Sequence, residues 1–173
     1  MPKIIENVRE QLLDEAKRQI IKNGYSKTTI RSVANACGLG VGTVYNYFKS
    51  KDILIATFML EDWRECLKEM KNHSSTEGEV ILKGIYLSLQ SFMQKHQALF
   101  SDIDAAKVFA TVFSERHKQL REQLAEIILP MCDNSRAKNK GFLAEFIADA
   151  LLTWTVEEKP FEELSSTIVL LLK

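Results

Sequence analysis

Apolar residues recur every three or four positions along the first part of the chain, a spacing that predicts amphipathic helices. The first predicted helix ends near Asn23-Gly24, since glycine readily adopts the left-handed conformation of a helix C-cap. Its apolar stripe consists of Val8, Leu12, Leu13, Ala16, Ile20 and Ile21. This stripe predicts that one side of the helix packs against the rest of an N-terminal module.

Two short helices are predicted around a tight turn between residues 28 and 48. Thr28 is a suitable N-cap for the first of them, whose apolar positions are Ile30, Val33, Ala34 and Cys37. Gly38-Leu39-Gly40 interrupts the pattern, and Val44 and Phe48 then lie one turn apart on the inner side of the second helix. Two short helices around a glycine turn predict a helix-turn-helix.

The remainder of the chain also has helical periodicity. Ser50 is placed to cap a long fourth helix that reaches about His73, and the polar stretch 72–78 predicts a loop. Further helices are expected at about 79–97, 103–130, 138–158 and 161–172. No stretch has the pattern of a strand, so the predicted class is all-α.

Composition is that of a globular protein, and the charge distribution is uneven. Apolar residues make up 46% and charged residues 27%, with no net charge at pH 7. Residues 1–52 nevertheless contain nine Lys and Arg against five Asp and Glu, an excess that favours contact of this end with an anionic partner such as DNA. Three widely spaced cysteines without a CxxC pair, and the lack of a long apolar run, predict a cytoplasmic protein with no membrane segment.

The stretch TTIRSVANACGLGVGTVYNYFKSK, residues 28–51, resembles the N-terminal DNA-binding signature of the TetR/AcrR family, and the resemblance covers about residues 4–60. It implies a bacterial transcription repressor with a three-helix DNA-binding head, joined by the long fourth helix to a helical region for ligand binding and dimerisation. The expected domains are 1–50, with the helix-turn-helix at about 28–48, and 51–173. The resemblance also implies that a ligand tilts the fourth helix and so changes the spacing of the two DNA-binding heads in a homodimer.

The predicted DNA contacts follow from the faces of the two short helices. If Leu39, Val44 and Phe48 point inward, the second helix presents its other side chains to DNA. The full predicted set is Thr28, Thr29, Arg31, Val41, Gly42, Thr43, Tyr45, Asn46, Tyr47 and Lys51. Thr43 suits a base edge or a phosphate, whereas Lys51 and the two tyrosines suit phosphates, as similar positions do in the family. An alternative for the tyrosines is half-buried packing.

One departure from the family pattern lies before the second short helix. Many relatives have Ser or Thr there followed by a basic or polar residue, whereas this chain has Gly40 and Val41. Glycine is a tolerable N-cap, so the helix is still expected. Base recognition would then depend on Thr43, Asn46 and Arg31.

Aromatic and apolar residues of the C-terminal region supply the other predicted sites. Most are expected to be core, but the family resemblance implies a ligand cavity between helices, with Phe58, Met59, Trp63, Phe92, His96, Phe109, Phe113 and Trp154 as candidate lining residues. Gln90 and His117 are further candidates for polar groups there. The resemblance also implies a dimer interface on the last two helices, with Phe146, Ala150, Trp154, Leu164, Ile168 and Leu171 as candidates.

The predicted partners are a near-palindromic double-stranded DNA operator, a small-molecule effector and a second copy of the chain. We expect no cofactor and no enzymatic activity, because the chain has neither a phosphate-binding glycine loop nor a nucleophile motif. Its histidines lack metal-ligand spacing. The competing readings are a helical protein whose helix-turn-helix binds another protein, and an all-α enzyme. Sequence-selective, salt-dependent DNA binding separates the first reading from both.

Overall fold

A computed structural model describes residues 7–72 and 77–173, except for the side chains of residues 109–116. Every regular element in this part of the chain is helical, which confirms the all-α prediction. The α-helices are α1 (Val8–Asn23), α2 (Ile30–Ala36), α3 (Val41–Tyr47), α4 (Lys51–Lys71), α5 (Gly78–Lys95), α6 (Gln97–Phe100), α7 (Ile103–Ile128), α8 (Lys140–Val156) and α9 (Phe161–Leu171). None of these described helices is long and apolar enough to cross a membrane.

The chain divides into two compact units. The first contains the described part of Met1–Asp62 together with His96–Ala110, and the second contains the described part of Trp63–Lys95 together with Thr111–Lys173. Helices α4 and α7 therefore each contribute residues to both units. The predicted division at residue 50 concerns function and stays a prediction.

The join between α1 and α2 differs from the prediction by one residue. The N-cap of α2 is Thr29 rather than Thr28, because the Thr29 side chain accepts the backbone N–H of Ser32 at 3.0 Å while the Ser32 hydroxyl accepts the N–H of Thr29. Thr28 is only 1% exposed, and its hydroxyl donates to the carbonyl of Gly24 at 2.9 Å. Thr28 therefore stabilises the turn, and Thr29 begins the helix.

Helices α2 and α3 pack together around the predicted glycine turn. Gly38 has φ +66°, the left-handed conformation that glycine adopts without steric cost, and the N–H of Leu39 donates to the carbonyl of Ala34 at 2.9 Å. Val44 and Phe48 are buried, as predicted for the inner side of α3. The segment from α2 to α3 is therefore a helix-turn-helix.

The two glycines of this motif give a paired stability prediction. Gly38→Ala is expected to lower the free energy of unfolding by about 1–2 kcal/mol, because a Cβ is strained in the left-handed conformation. Gly42→Ala is expected to raise it by about 0.4–1 kcal/mol, since Gly42 lies inside α3 and an added Cβ meets no atom within 4 Å. Urea denaturation of the two variants measures both changes, and equal shifts in one direction would contradict this account.

Helix α4 is one continuous helix of 21 residues, capped as predicted. The N–H of Ile53 donates to the Ser50 hydroxyl at 3.1 Å. The helix ends at Lys71 within the described residues, and the predicted end near His73 lies outside them. Its residues fall in both compact units, and its role as a rod between two functional regions stays a prediction.

The second unit is built around a single buried cluster that α4, α5, α7, α8 and α9 supply. Ile147 and Leu151 of α8 and Leu164 of α9 are completely buried, and each contributes about 1.5–3 kcal/mol through removal of its side chain from water. The sequence did not predict the short α6, nor the 3-10 helix Leu129–Cys132, in which Pro130 ends the α-helical hydrogen bonding of α7.

Candidate nucleic-acid interface

The outer side of α3 carries six of the predicted DNA-binding residues. Tyr45 and Tyr47 are 46% and 48% exposed, and neither hydroxyl has a hydrogen-bond partner among the described residues. Gly42 and Asn46 are also exposed, while Val41 and Thr43 are partly exposed. Buried Val44 in the middle of the helix fixes which side faces outward. The result is a surface of hydroxyl and amide groups on a helix of the size that enters a major groove.

Helix α2 contributes a second, smaller part of this surface. Thr29 and Arg31 are exposed, so the guanidinium is accessible to an anion and the Thr29 hydroxyl lies at the surface. Thr28 does not share this exposure, because its hydroxyl is used within the α1–α2 turn. A phosphate would therefore meet the N-terminus of α2 at Thr29.

Lys51 lies at the start of α4, but its ammonium already has protein partners. Its Nζ donates to the backbone carbonyl of Tyr25 at 3.0 Å and lies 3.5 Å from the centre of the Tyr25 ring. Burial lowers the pKa of this partly buried lysine. The Tyr25 hydroxyl in turn donates to Asp52 at 2.6 Å. Any phosphate contact by Lys51 would compete with this arrangement.

The predicted cavity residues are distributed over both units. Phe58 stacks on His96 in the first unit at 5.9 Å, and Trp63 packs edge-on against Phe92 in the second unit at 5.4 Å. Trp154 of α8 is 41% exposed. The remaining candidates are Met59, which is buried in the first unit, and Phe109 and Phe113, whose side chains lie outside the described residues. The ligand cavity stays a prediction.

The groove described in the second unit contains none of the predicted cavity residues. Its volume is about 490 Å³, and its lining comes from α4, from the residue after α4 and from α5, namely Glu69, Asn72, Gly84, Leu87, Ser88 and Ser91. Cys66 is buried in the core of the second unit. Burial raises the pKa of its thiol to about 12.

A buried polar network in the first unit was not predicted. The Asp62 carboxylate lies 2.9 Å from Nζ of Lys17 and 3.1 Å from Nε2 of His96, and the His96 and Asp62 side chains are only 4% and 8% exposed. Because Lys17 belongs to α1 and His96 follows α5, no sequence motif joins these residues. The network connects three segments of the unit that contains the helix-turn-helix. Among the described residues, no His, Cys, Asp and Glu cluster is suited to hold a metal ion.

The predicted dimer-interface residues separate into exposed and buried groups. Phe146 is 53% exposed, and Ala150, Trp154 and Leu171 are also at least partly exposed. Leu164 and Ile168 are instead buried in the core of the second unit, because they point inward from α9. The strongest exposed apolar residue of α8, Phe142 at 66%, was missed, although it lies one turn before Phe146. Helix α8 therefore has one side whose apolar residues are exposed to water in the single chain.

The folded segment 30–47 and its exposed polar surface define a helix-turn-helix protein. Residues 12–57 match the family model of bacterial regulatory proteins, tetR family. The Bacillus subtilis fatty acid metabolism regulator protein is 25% identical over 154 residues, or 88% of this chain and 70% of that protein. An HTH-type transcriptional repressor of Mycobacterium tuberculosis is 36% identical over 36% of this chain and 35% of its own length.

The fold itself also has relatives among solved structures. A TetR-family transcriptional repressor, FadR of Thermus thermophilus in complex with lauroyl-CoA, matches with a TM-score of 0.62 and 18% identity over 95% of this chain and 92% of that one. The DNA-binding segment of this chain is therefore similar to that of the tetR family of bacterial regulatory proteins, and the chain as a whole is similar to bacterial transcriptional regulators.

Proposed function

We propose that this regulator is a repressor whose α3 reads the major groove of a near-palindromic operator. The observation that carries the proposal is the outer side of α3, where exposed tyrosine hydroxyls and Asn46 have no protein partners among the described residues while Val44 anchors the helix. A symmetric dimer would present two such helices to half-sites about 34 Å apart. Direct contacts by Thr43, Asn46 and Arg31 would select the sequence, and contacts by Thr29, Tyr45 and Tyr47 would position the protein on phosphates.

The proposed dimer forms through the exposed apolar side of α8. Phe142, Phe146 and Trp154 leave a large aromatic surface in contact with water, which is unfavourable unless another chain covers it. Homodimers of two-fold symmetry place the same surface of both copies together. The at least partial exposure of Phe146, Ala150 and Trp154 supports a role for these residues in association, whereas Leu164 and Ile168 already pack in the chain's own core.

We also infer that a small ligand releases the repressor from DNA in the bacterial cytoplasm. Support comes from the lauroyl-CoA complex of the Thermus protein and from the Bacillus regulator of fatty acid metabolism. Acyl-CoA thioesters are therefore the first class of ligand to test. Helix α4, which contributes to both units, is suited to transmit the change, since a tilt at one end of a rod displaces the other.

A selection from random DNA tests the proposed function. The purified protein is incubated with a pool of randomised duplexes at about 0.15 M salt, where non-specific phosphate binding is weak, and the retained duplexes are sequenced. We expect enrichment of a near-palindrome with half-sites about one helical turn apart, and release of that DNA by an acyl-CoA. Folded protein that enriches no sequence would contradict the DNA-binding function, whereas enrichment without release would contradict only the ligand.

Thr43→Ala tests the direction in which α3 faces. The variant is expected to lose about 1–2 kcal/mol of operator binding, or five- to thirtyfold in affinity, because one hydrogen bond to DNA disappears. Fluorescence anisotropy with the selected duplex measures the change. The matched control is Thr167→Ala. Thr167 is an exposed residue of α9 whose hydroxyl donates to the carbonyl of Glu163 in the same helix at 3.3 Å, so this variant is expected to bind the operator normally. Full affinity of the folded Thr43 variant would mean that another face of α3 meets DNA.

A further inference from the structure

The short corner between α6 and α7 carries an aspartate with two sets of contacts. Asp102 is the N-cap of α7, since its Oδ1 accepts the backbone N–H groups of Asp104 and Ala105, both at 3.0 Å. These amides, that of Ala105 first, lower the pKa of Asp102, so the carboxylate is ionised at neutral pH. A fixed negative charge therefore stands at the beginning of α7.

The same carboxylate lies against the loop that precedes the helix-turn-helix. It accepts the backbone N–H of Tyr25, and its Oδ2 is 3.8 Å from the position that a Cβ on Gly24 would take. A second contact joins the same two segments, because the Ser26 hydroxyl donates to Asp104 at 3.2 Å. The α6–α7 corner is thus hydrogen-bonded to the α1–α2 loop at two adjacent residues.

Lys51, the predicted phosphate ligand, reaches this same loop from α4. Its ammonium donates to the Tyr25 carbonyl, on the residue whose N–H Asp102 accepts. Burial lowers the pKa of Lys51, while the carboxylates of Asp52, Asp102 and Asp104 act against that change. Three carboxylates, two of which belong to the α6–α7 corner, therefore act electrostatically on the Lys51 ammonium group. A DNA phosphate that approached Lys51 would meet their repulsion.

We propose that Asp102 is a positioning residue that holds Lys51 on the Tyr25 loop and competes with DNA phosphate for its ammonium group. The inference rests on the proposed DNA binding and deepens it. In the described arrangement, the Lys51 ammonium donates to the protein's own Tyr25 carbonyl and lies over the Tyr25 ring. Movement of the α6–α7 corner away from the loop would free the lysine for a phosphate. Since α7 continues into the second unit, this corner gives that unit a connection to the DNA-binding head in addition to α4.

Asp102→Asn removes the charge and keeps an acceptor oxygen for the α7 amides, but its amide nitrogen cannot accept the N–H of Tyr25, so the variant also loosens the loop to which Lys51 donates. With a random-sequence duplex at low salt, the variant is expected to bind about two- to fivefold more tightly than the wild type, as expected for the loss of one partly screened charge interaction. The plot of log affinity against log salt is expected to steepen by about 0.9, the change for one added phosphate contact. Lys51→Met in the same chain should abolish both effects. Asp133→Asn, an equal charge change on an exposed residue of the second unit, should produce neither.

A second measurement needs no DNA. A small amine-reactive reagent, followed by mass spectrometry, is expected to label Lys51 several times faster in Asp102→Asn than in the wild type, with exposed Lys107 as the internal reference. Unchanged labelling, or equal or weaker DNA binding by the folded variant, would overturn the inference. Faster labelling in a protein that binds no DNA would support the role of Asp102 in holding Lys51 and would overturn only the proposed competition and DNA-binding function.

Discussion

Phe146→Glu is expected to convert the proposed dimer into monomers and to weaken operator binding by at least about a hundredfold, because linkage of two DNA-binding heads is lost. Phe146 is half exposed on α8, so the single chain tolerates a carboxylate there. In a two-fold interface the same substitution would place two unpaired charges in an apolar contact. Sedimentation analysis at micromolar concentration measures the first effect, and anisotropy with the selected operator measures the second.

The control for this substitution is Val80→Glu, which introduces the same charge at a residue of α5 that is similarly exposed in the same unit. That variant is expected to remain dimeric and to bind the operator normally. The free energy of unfolding of the single chain should be similar for both variants and the wild type. If Phe146→Glu remained dimeric with full operator affinity, the exposed side of α8 would not be the dimer interface.

Asp62→Ala is expected to lower the free energy of unfolding by about 2–4 kcal/mol, because it leaves two buried or partly buried basic groups without their shared acceptor. His96 is almost fully buried beside Asp62, whereas the Lys17 side chain retains 26% exposure and can partly reach water. Because Lys17 keeps this access to water, the expected loss of unfolding free energy is smaller than for a fully buried charge that loses its partner. Thermal and urea unfolding, followed by circular dichroism, measure it.

Glu61→Ala, at the adjacent position, is the matched control. Glu61 also pairs with a basic residue of α1, since Nη2 of Arg9 lies 2.6 Å from it, but both side chains are well exposed. An exposed pair of this kind contributes less than about 1 kcal/mol. Similar losses for Glu61→Ala and Asp62→Ala would indicate that burial of the Asp62 network does not contribute to stability.

Periodicity alone was sufficient for most helices. Long stretches with one apolar side, such as α1 and α5, agree with prediction to within about two residues, because helical spacing over several turns is hard to mistake for another structure. Local signals also identified the turn at Gly38 and the cap at Ser50 correctly. Gly24 is the C-cap of α1 with a positive φ, but its ψ of 171° differs from the predicted left-handed helical conformation. The cap of α2 was wrong by one residue because Thr28 and Thr29 are equally good N-caps, and only the Gly24 carbonyl decides between them.

The exposed side of α3 was predictable for a related reason. Once Val44 and Phe48 are assigned to the inside, helical geometry puts Tyr45, Asn46 and Tyr47 elsewhere, and the structure exposes all three. The sequence could not predict that Lys51 donates to the Tyr25 carbonyl, because the two residues are 26 positions apart and no periodicity relates them. The short α6 was missed since four residues are too few to show a helical period.

By itself, the sequence determined the all-α class, the helix-turn-helix and the side of α3 that faces outward, because each follows from local spacing and from residues with strong conformational preferences. Only the tertiary structure decided which apolar residues of α8 and α9 are core and which are exposed, since α8 is apolar on both sides and α9 ends in a run of apolar residues. It also brought Lys17, Asp62 and His96 together. Contacts of that kind depend on how helices pack, and side-chain burial is a property of that packing rather than of any one segment.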